Sequence, residues 1–113
     1  MHSEHRPDFS EVATILLNLD RVTALQQGSR TLIARQGRTF CVFWDGNCHL
    51  KLSPFRVSQL LQKRAGKRSR PAPDRSTWEW ICVEEPGERC LALAHEAYLY
   101  ASSLENCGPL PVQ

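Results

Sequence analysis

The sequence lacks any hydrophobic run long enough to cross a membrane. Its longest apolar stretches, such as residues 39–44, cover only a few positions, whereas a helix needs about 20 apolar residues to span a bilayer. Residues 1–8 are polar and include acids, so they lack the basic start and the apolar run of a secretory signal. We therefore expect a cytoplasmic protein without a membrane partner.

Motifs for metal binding and catalysis are also missing. The five cysteines form no C-x-x-C pair and are expected to be reduced. Cys48 and His49 are neighbours that point to opposite faces of a strand, so they cannot bind one metal ion together. Cys90 and His95 are five residues apart and do not lie on the same side of a helix. No glycine-rich phosphate loop or oxyanion loop is present. We expect a non-enzymatic protein without metal or cofactor, although spacing leaves open a small-molecule pocket lined by His49, Cys82 or a tryptophan.

Length and composition are those of one soluble, folded domain. The 113 residues are 42% hydrophobic and 23% charged, which suffices for one hydrophobic core. Asp8 and Glu11 form a capping box that starts the first helix. The sequence predicts a single domain over residues 1–113, with its core at about 8–104 and loose termini at 1–7 and 105–113.

Local signals predict the order helix, three strands, helix, strand, helix. Apolar residues at helical spacing follow Asp8 for about three turns. The strands are expected at 31–35, 38–44, 47–52 and 77–83. Ser53-Pro54 starts a second helix that runs to about Lys63, and the last helix covers 88–104. The sequence therefore predicts an α+β domain whose sheet has four antiparallel strands.

The dipeptide Asp45-Gly46 predicts which strand residues share a face of the sheet. Asp-Gly tolerates the positive φ that both positions of a tight hairpin turn need, so Trp44 is placed opposite Asn47. One face, expected to be the core face, carries Leu32, Ala34, Cys41, Phe43, Cys48, Leu50 and Leu52. The other face, expected to be partly open, carries Thr31, Ile33, Arg35, Arg38, Phe40, Val42, Trp44, Asn47, His49 and Lys51.

Four segments carry a resemblance to a known family. They are Gly37-Arg38-Thr39-Phe40, Leu50-Lys51-Leu52-Ser53-Pro54, Trp80-Ile81-Cys82-Val83 and Tyr98-Leu99-Tyr100-Ala101. In these places the chain resembles the MmcQ/YjbR-like family, and the related TfoX N-terminal domain is similar, over about residues 8–104. The resemblance implies an antiparallel sheet covered by helices on one face, comparable to the frataxin (CyaY-like) arrangement. Members are usually described as candidate DNA-binding proteins.

The net charge of +2 conceals an uneven distribution. Residues 21–75 contain twelve Lys or Arg and two Asp, a net charge of +10, while the two ends together carry −8. Phosphate binding is predicted for Lys63, Arg64, Lys67, Arg68, Arg70 and Arg75 in a loop at 63–75, joined by Arg35, Arg38 and Lys51 of the sheet. This interpretation weakens if the acidic last helix, 88–104, folds over the basic loop.

Two functional hypotheses remain open from the sequence. The first is weak binding of DNA or another nucleic acid, in which phosphate contacts dominate and salt lowers the affinity. The second is a protein–protein interaction module that docks a partner through Phe40, Trp44 and His49 without nucleic acid. The first hypothesis competes with a simply solvated basic loop. The protein is expected to be a monomer or a weak dimer.

Overall fold

The chain folds into a six-stranded antiparallel sheet with three helices. The computed structural model describes residues 8–69 and 79–106. The elements are α1 (Phe9–Leu17), β1 (Val22–Gln27), β2 (Arg30–Arg35), β3 (Arg38–Trp44), β4 (Asn47–Lys51), α2 (Pro54–Gln62), β5 (Lys67–Arg68), β6 (Trp80–Val83) and α3 (Glu88–Asn106). The strand order across the sheet is β1-β2-β3-β4-β6-β5. The α+β class and the antiparallel sheet are confirmed, but the sheet has six strands and not four.

Helix α1 begins at the predicted capping box. The Asp8 carboxylate accepts a hydrogen bond from the Glu11 backbone N–H at 2.8 Å, and the Glu11 carboxylate accepts one from the Asp8 N–H at 3.1 Å. Such a cap stabilises a helix by about 1 kcal/mol. It fixes the start of α1 so that Val12 and Leu16 point into the core.

Strand β1 was not predicted from the sequence. It pairs with β2 along its whole length, from Val22 opposite Arg35 to Gln27 opposite Arg30. The side chains after Val22 are exposed, so β1 has no alternation of apolar and polar residues to mark it as a strand. Gly28 has a φ of 59° in the turn that leads to β2.

The β3–β4 hairpin follows the sequence prediction. Asp45 and Gly46 have φ values of 58° and 78°, as a tight hairpin turn requires. The register places Trp44 opposite Asn47, and it continues to Cys41 opposite Leu50. The faces of β3 beyond Cys41 and of β4 are therefore those expected.

The β2–β3 pair differs from the prediction because of a β-bulge. Ile33 lies opposite Cys41 and Ala34 lies opposite Thr39, so Phe40 is an extra residue on β3. Phe40 turns inward and is fully buried, with its ring centroid 5.9 Å from that of Tyr98 on α3. The expectation that Phe40 lies on an open face is wrong.

The bulge also exchanges the two faces of β2. Ile33 shares the face of Cys41 and is fully buried in the core. By alternation Thr31 and Arg35 lie on this same face, while Leu32 and Ala34 lie on the opposite one. The predicted faces of these five β2 residues are therefore reversed.

All three helices pack on the face that carries Cys41, which we call the helical face. Its core is formed by Val12, Leu16, Ile33, Phe40, Cys41, Cys48, Leu50, Leu52, Val57, Leu60, Ile81, Val83, Cys90, Leu93, Ala94, Ala97 and Ala101. Small residues on α3 let this helix lie close to the sheet. The expectation of helices on one face is met. No helix in the described part of the chain is both long and apolar enough to cross a membrane.

The opposite face of the sheet is called the far face. The strand registers place Leu32, Val42, His49, Cys82 and Lys67 in one row across it. Val42, His49 and Cys82 are buried, and so is Trp80 beside this row. The far face is thus buried along its centre, whereas Trp44, Asn47 and Lys51 are half-buried and Lys67 is exposed. Trp78, in the strand predicted at 77–83, lies outside the described residues.

Candidate nucleic-acid interface

The turn after α2 fixes the first two residues of the predicted basic loop. Lys63 donates its backbone N–H to the Gln59 carbonyl at 3.1 Å, and Arg64 donates to the Leu61 carbonyl at 3.1 Å. Arg64 has a φ of 56°, a left-handed conformation that is uncommon outside glycine. Ala65 then donates to the Leu60 carbonyl at 2.8 Å. The turn reverses the chain with a defined backbone.

The next residues form a strand where the sequence predicted a loop. Lys67 and Arg68 make up β5, the outermost strand, opposite Cys82 and Ile81. Gly66 approaches β6 so closely that a Cβ atom would lie 2.7 Å from the Ile81 Cγ1 atom and 2.8 Å from the Cys82 carbonyl oxygen. The absence of a side chain at position 66 therefore lets this segment reach the sheet.

Four cations of the prediction come together at this edge of the sheet. Lys63, Arg64, Lys67 and Arg68 all have exposed side chains, and no acidic residue occurs between positions 63 and 69. We call these four residues the basic edge. Arg70 and Arg75, which were predicted to belong to the same surface, lie outside the described residues.

Acidic residues of the β6–α3 connection lie next to the basic edge. Lys67 Nζ is 3.1 Å from Glu84 Oε2. A groove of about 1110 Å³ separates the α2–β5 turn from the β6–α3 connection, and its charged lining comprises Arg64, Lys67, Arg89, Glu84, Glu85 and Glu88. The charge asymmetry of the sequence is therefore partly balanced within the fold. Exposed pairs such as Lys67–Glu84 contribute at most about 1 kcal/mol.

The three sheet cations of the prediction lie at the other end of the sheet. Arg35 and Arg38 face each other beside the β2–β3 turn, and Lys51 is at the end of β4 opposite Trp80. Because neighbouring strands are antiparallel, this end is the one remote from Glu84. The structure does not bring Arg35 and Arg38 together with the basic edge, whereas Lys51 lies two strands from Arg68 and one register position further along.

Local contacts also occupy Arg35 and Lys51. Arg35 lies 5.6 Å from the ring centroid of Tyr98 and 3.9 Å from the Asp20 carboxylate. Lys51 Nζ lies 3.9 Å from the Glu79 carboxylate, which also accepts a hydrogen bond from the Tyr100 hydroxyl. Burial raises the pKa of Tyr100, and the bond to Glu79 raises it further.

The structure separates the predicted protein-docking residues: Phe40 lies on the helical face, whereas Trp44 and His49 lie on the far face. Phe40 is buried in the core, and His49 is only 6% exposed. Trp44 is half-buried, with the Arg30 guanidinium 4.4 Å from its ring centroid and the His49 ring 6.0 Å away. Arg30 is not among the residues predicted for docking, although the register of Thr31 opposite Phe43 places Arg30 beside Trp44.

His49 has an unusual environment for a polar side chain. Both ring nitrogens are buried and have no hydrogen-bond partner among the described residues. Burial lowers the pKa of His49, the Trp44 backbone raises it, and the nearby charge of Arg30 lowers it further. Burial is the largest of these effects, so it favours the neutral form of the imidazole.

Three thiols meet in the core of the helical face. The Sγ atoms of Cys41 and Cys48 are 3.8 Å apart, and Cys48 also interacts with Cys90 on α3. The thiol contact with Cys41 raises the pKa of Cys48 well above its ordinary value. These cysteines are free and buried. Among residues 8–69 and 79–106, no group of three or more His, Cys, Asp and Glu side chains is placed to hold a metal ion.

The candidate interface is described by the geometry of the basic edge alone. The proposed resemblance to the MmcQ/YjbR-like family stays a prediction from the sequence. The chain matches no protein-family model, no curated protein and no solved structure.

Proposed function

We propose that the chain binds nucleic acid weakly through the basic edge, with no catalytic step. The observation that carries the proposal is the exposure of Lys63, Arg64, Lys67 and Arg68 on one outer edge of the sheet. The backbone beneath these side chains is held by α2 and β6. Binding would therefore order only the side chains and not the chain that carries them.

Phosphate neutralisation supplies the affinity in this proposal. Each cation that replaces condensed counterions on a nucleic acid makes binding weaker as salt increases. Four such contacts predict that the logarithm of the association constant falls by about 3 to 4 per tenfold increase in salt. Contacts to phosphate alone carry no sequence information, so we expect no sequence preference.

The acids beside the basic edge determine where the polymer lies. Glu84, Glu85 and Glu88 line the groove and would repel phosphate inside it. Lys67 and Arg68 are neighbours on a strand and so point to opposite faces of the sheet. The nucleic acid is therefore expected to run along the outside of β5, in contact with both side chains.

The alternative, a protein partner docked through Phe40, Trp44 and His49, has less support. Phe40 and His49 are buried and the ring of Trp44 is stacked against Arg30. No single surface presents all three residues, because Phe40 lies on the helical face while Trp44 and His49 lie on the far face. We therefore favour the nucleic-acid proposal.

Fluorescence anisotropy with labelled single-stranded and duplex oligonucleotides of about 20 nucleotides tests the proposal over a salt series from about 20 to 300 mM. The double substitution Lys63→Gln and Arg64→Gln should lower the salt slope by about 2. Arg21→Gln with Arg38→Gln is the matched control, because it also removes two exposed cations, and Arg21 and Arg64 both have positive φ. The control should keep the slope of the original protein.

Two results would contradict the proposal. One is the absence of binding to either oligonucleotide at the lowest salt concentration. The other is a slope that falls in the Arg21 and Arg38 variant but not in the Lys63 and Arg64 variant, which would move the interface to the other end of the sheet.

A further inference from the structure

The two outer edges of the sheet are built differently. Strand β5 has two residues, and both are cations. Strand β1 has six residues, Val22–Gln27, with no charge and no proline. Natural proteins usually protect an outer strand from pairing by making it short, charged or irregular. The β5 edge has such protection, and the β1 edge does not.

Among residues 8–69 and 79–106, no strand lies on the outer side of β1. The side chains of residues 23–27 are exposed, and Leu25 is 56% exposed. The register with β2 is regular from end to end, without a bulge that would turn the edge away. In the described part of the chain, β2 is the one strand that pairs with β1.

We propose that β1 pairs with β1 of a second copy of this chain, antiparallel across a two-fold axis that is perpendicular to the sheet. Such an axis joins the two sheets and keeps all helices on one side. It also places each residue opposite one that lies on the same face. In the register that we propose, the axis passes through Leu25, so that this side chain contacts its own copy.

The sequence around Leu25 supports a second copy as the partner. In this register Ala24 lies opposite Gln26, and Thr23 lies opposite Gln27, so no like charges meet. Arg21 comes to lie opposite Ser29 in the β1–β2 turn, which is uncharged. The strand is thus complementary to itself, and pairing covers an apolar side chain that is otherwise in water.

The pairing leaves the basic edge free and does not depend on the proposed function. The two copies of β5 lie at the outer ends of the joined sheet, roughly 50 Å apart at about 4.8 Å per strand. The interface is small, and small interfaces are typical of weak complexes. Because the contact contains no ion pair, its strength should change little with salt, in contrast to the binding of a nucleic acid.

Analytical ultracentrifugation of the full chain from about 5 to 500 µM tests the inference by mass action. The mass of the original protein should rise from that of one chain toward that of two. Leu25→Lys and Leu25→Glu should each remain monomeric, while an equimolar mixture of these two variants should form the dimer again. Leu99→Lys is the control, because Leu99 is also exposed (52%) but lies on α3, and this variant should still dimerise.

Hydrogen exchange of the original protein provides a measurement that needs no substitution. The backbone amides of residues 23–27 should exchange more slowly at the higher concentration, and those of β5 should not. A constant monomer mass overturns the inference, as does a Leu25→Lys variant that dimerises like the original protein. A mixture of the two Leu25 variants that stays monomeric overturns the proposed register.

Discussion

Arg56 on α2 binds both carboxylate oxygens of Glu96 on α3. Arg56 Nε lies 2.9 Å from Glu96 Oε1, and Arg56 Nη2 lies 3.0 Å from Glu96 Oε2. The hydrogen bond to Glu96 raises the pKa of Arg56 against the opposing effect of burial. Two parallel bonds from one guanidinium fix the orientation of both side chains, so this pair ties α2 to α3 above the sheet.

We expect the Arg56–Glu96 pair to show a measurable coupling energy. In a double-mutant cycle with Arg56→Met and Glu96→Gln, urea unfolding should give a coupling of about 0.5 to 1 kcal/mol, reduced by the partial exposure of both side chains. The control cycle is Lys67→Met with Glu84→Gln, a more exposed pair with a single hydrogen bond. Equal coupling energies in the two cycles would contradict the special role of the two-bond geometry.

The bulge at Phe40 predicts a large cost for removing that side chain. Phe40→Ala should lower the free energy of unfolding by about 3 to 5 kcal/mol, because it leaves a cavity beside Tyr98 in the core. Phe55→Ala is a matched control, since Phe55 is 73% exposed on α2, and its cost should stay below about 0.5 kcal/mol. Chemical denaturation measures both. A small cost at Phe40 would restore the open-face interpretation of the sequence.

The hairpin turn at Asp45-Gly46 follows from local sequence, whereas the burial of Phe40 does not. A two-residue turn is set by the φ preferences of its own residues, so the β3–β4 register was readable locally. The bulge at Phe40 depends on packing against Tyr98, which is distant in the sequence. One extra residue reverses the faces of all of β2. Strand β1 was not predicted because its side chains are mostly exposed, so apolar and polar residues do not alternate along it.

In the candidate site, too, residues close in the sequence could be predicted to lie together, whereas contacts between distant segments could not. Lys63, Arg64, Lys67 and Arg68 were found because they are close in the sequence, and a short segment stays together when it folds. The positions of Lys51 beside Glu79 and of Arg30 over Trp44 depend on strand pairing and chain reversal. Charge counting could not show that Glu84 approaches Lys67.

Gly66 should be required for the attachment of the basic edge to the sheet. In Gly66→Ala the new methyl group would meet Ile81 and the Cys82 carbonyl oxygen, so β5 must shift away from β6. We expect a loss of about 1 to 3 kcal/mol in the free energy of unfolding and faster amide exchange at β5. Gly46→Asn is the control, because position 46 has open space and a φ of 78°, which Asn tolerates. Unchanged stability in Gly66→Ala would show that the close contact yields at little cost.

The buried imidazole of His49 should make the fold less stable in mild acid. Its pKa is lowered in the folded protein, chiefly by burial, so the unfolded chain binds a proton at a higher pH than the folded one does. The free energy of unfolding therefore contains the full contribution of neutral His49 above the ordinary His pKa of 6.5. This contribution is lost as the pH falls below that value. The described neighbours of the ring on the far face are Trp44, Arg30, Val42 and Cys82, and none of them carries a carboxylate.

Thermal unfolding at pH 8 to 5 in the original protein and in His49→Gln measures this effect. The original protein should lose stability below about pH 6.5, and the His49 variant should show a flatter profile over the same range. His95→Gln is the control, because His95 has an exposed side chain on α3, and its profile should follow that of the original protein. If His49→Gln keeps the full acid dependence, another group must carry it, and the burial of a neutral imidazole would not govern the stability of this fold.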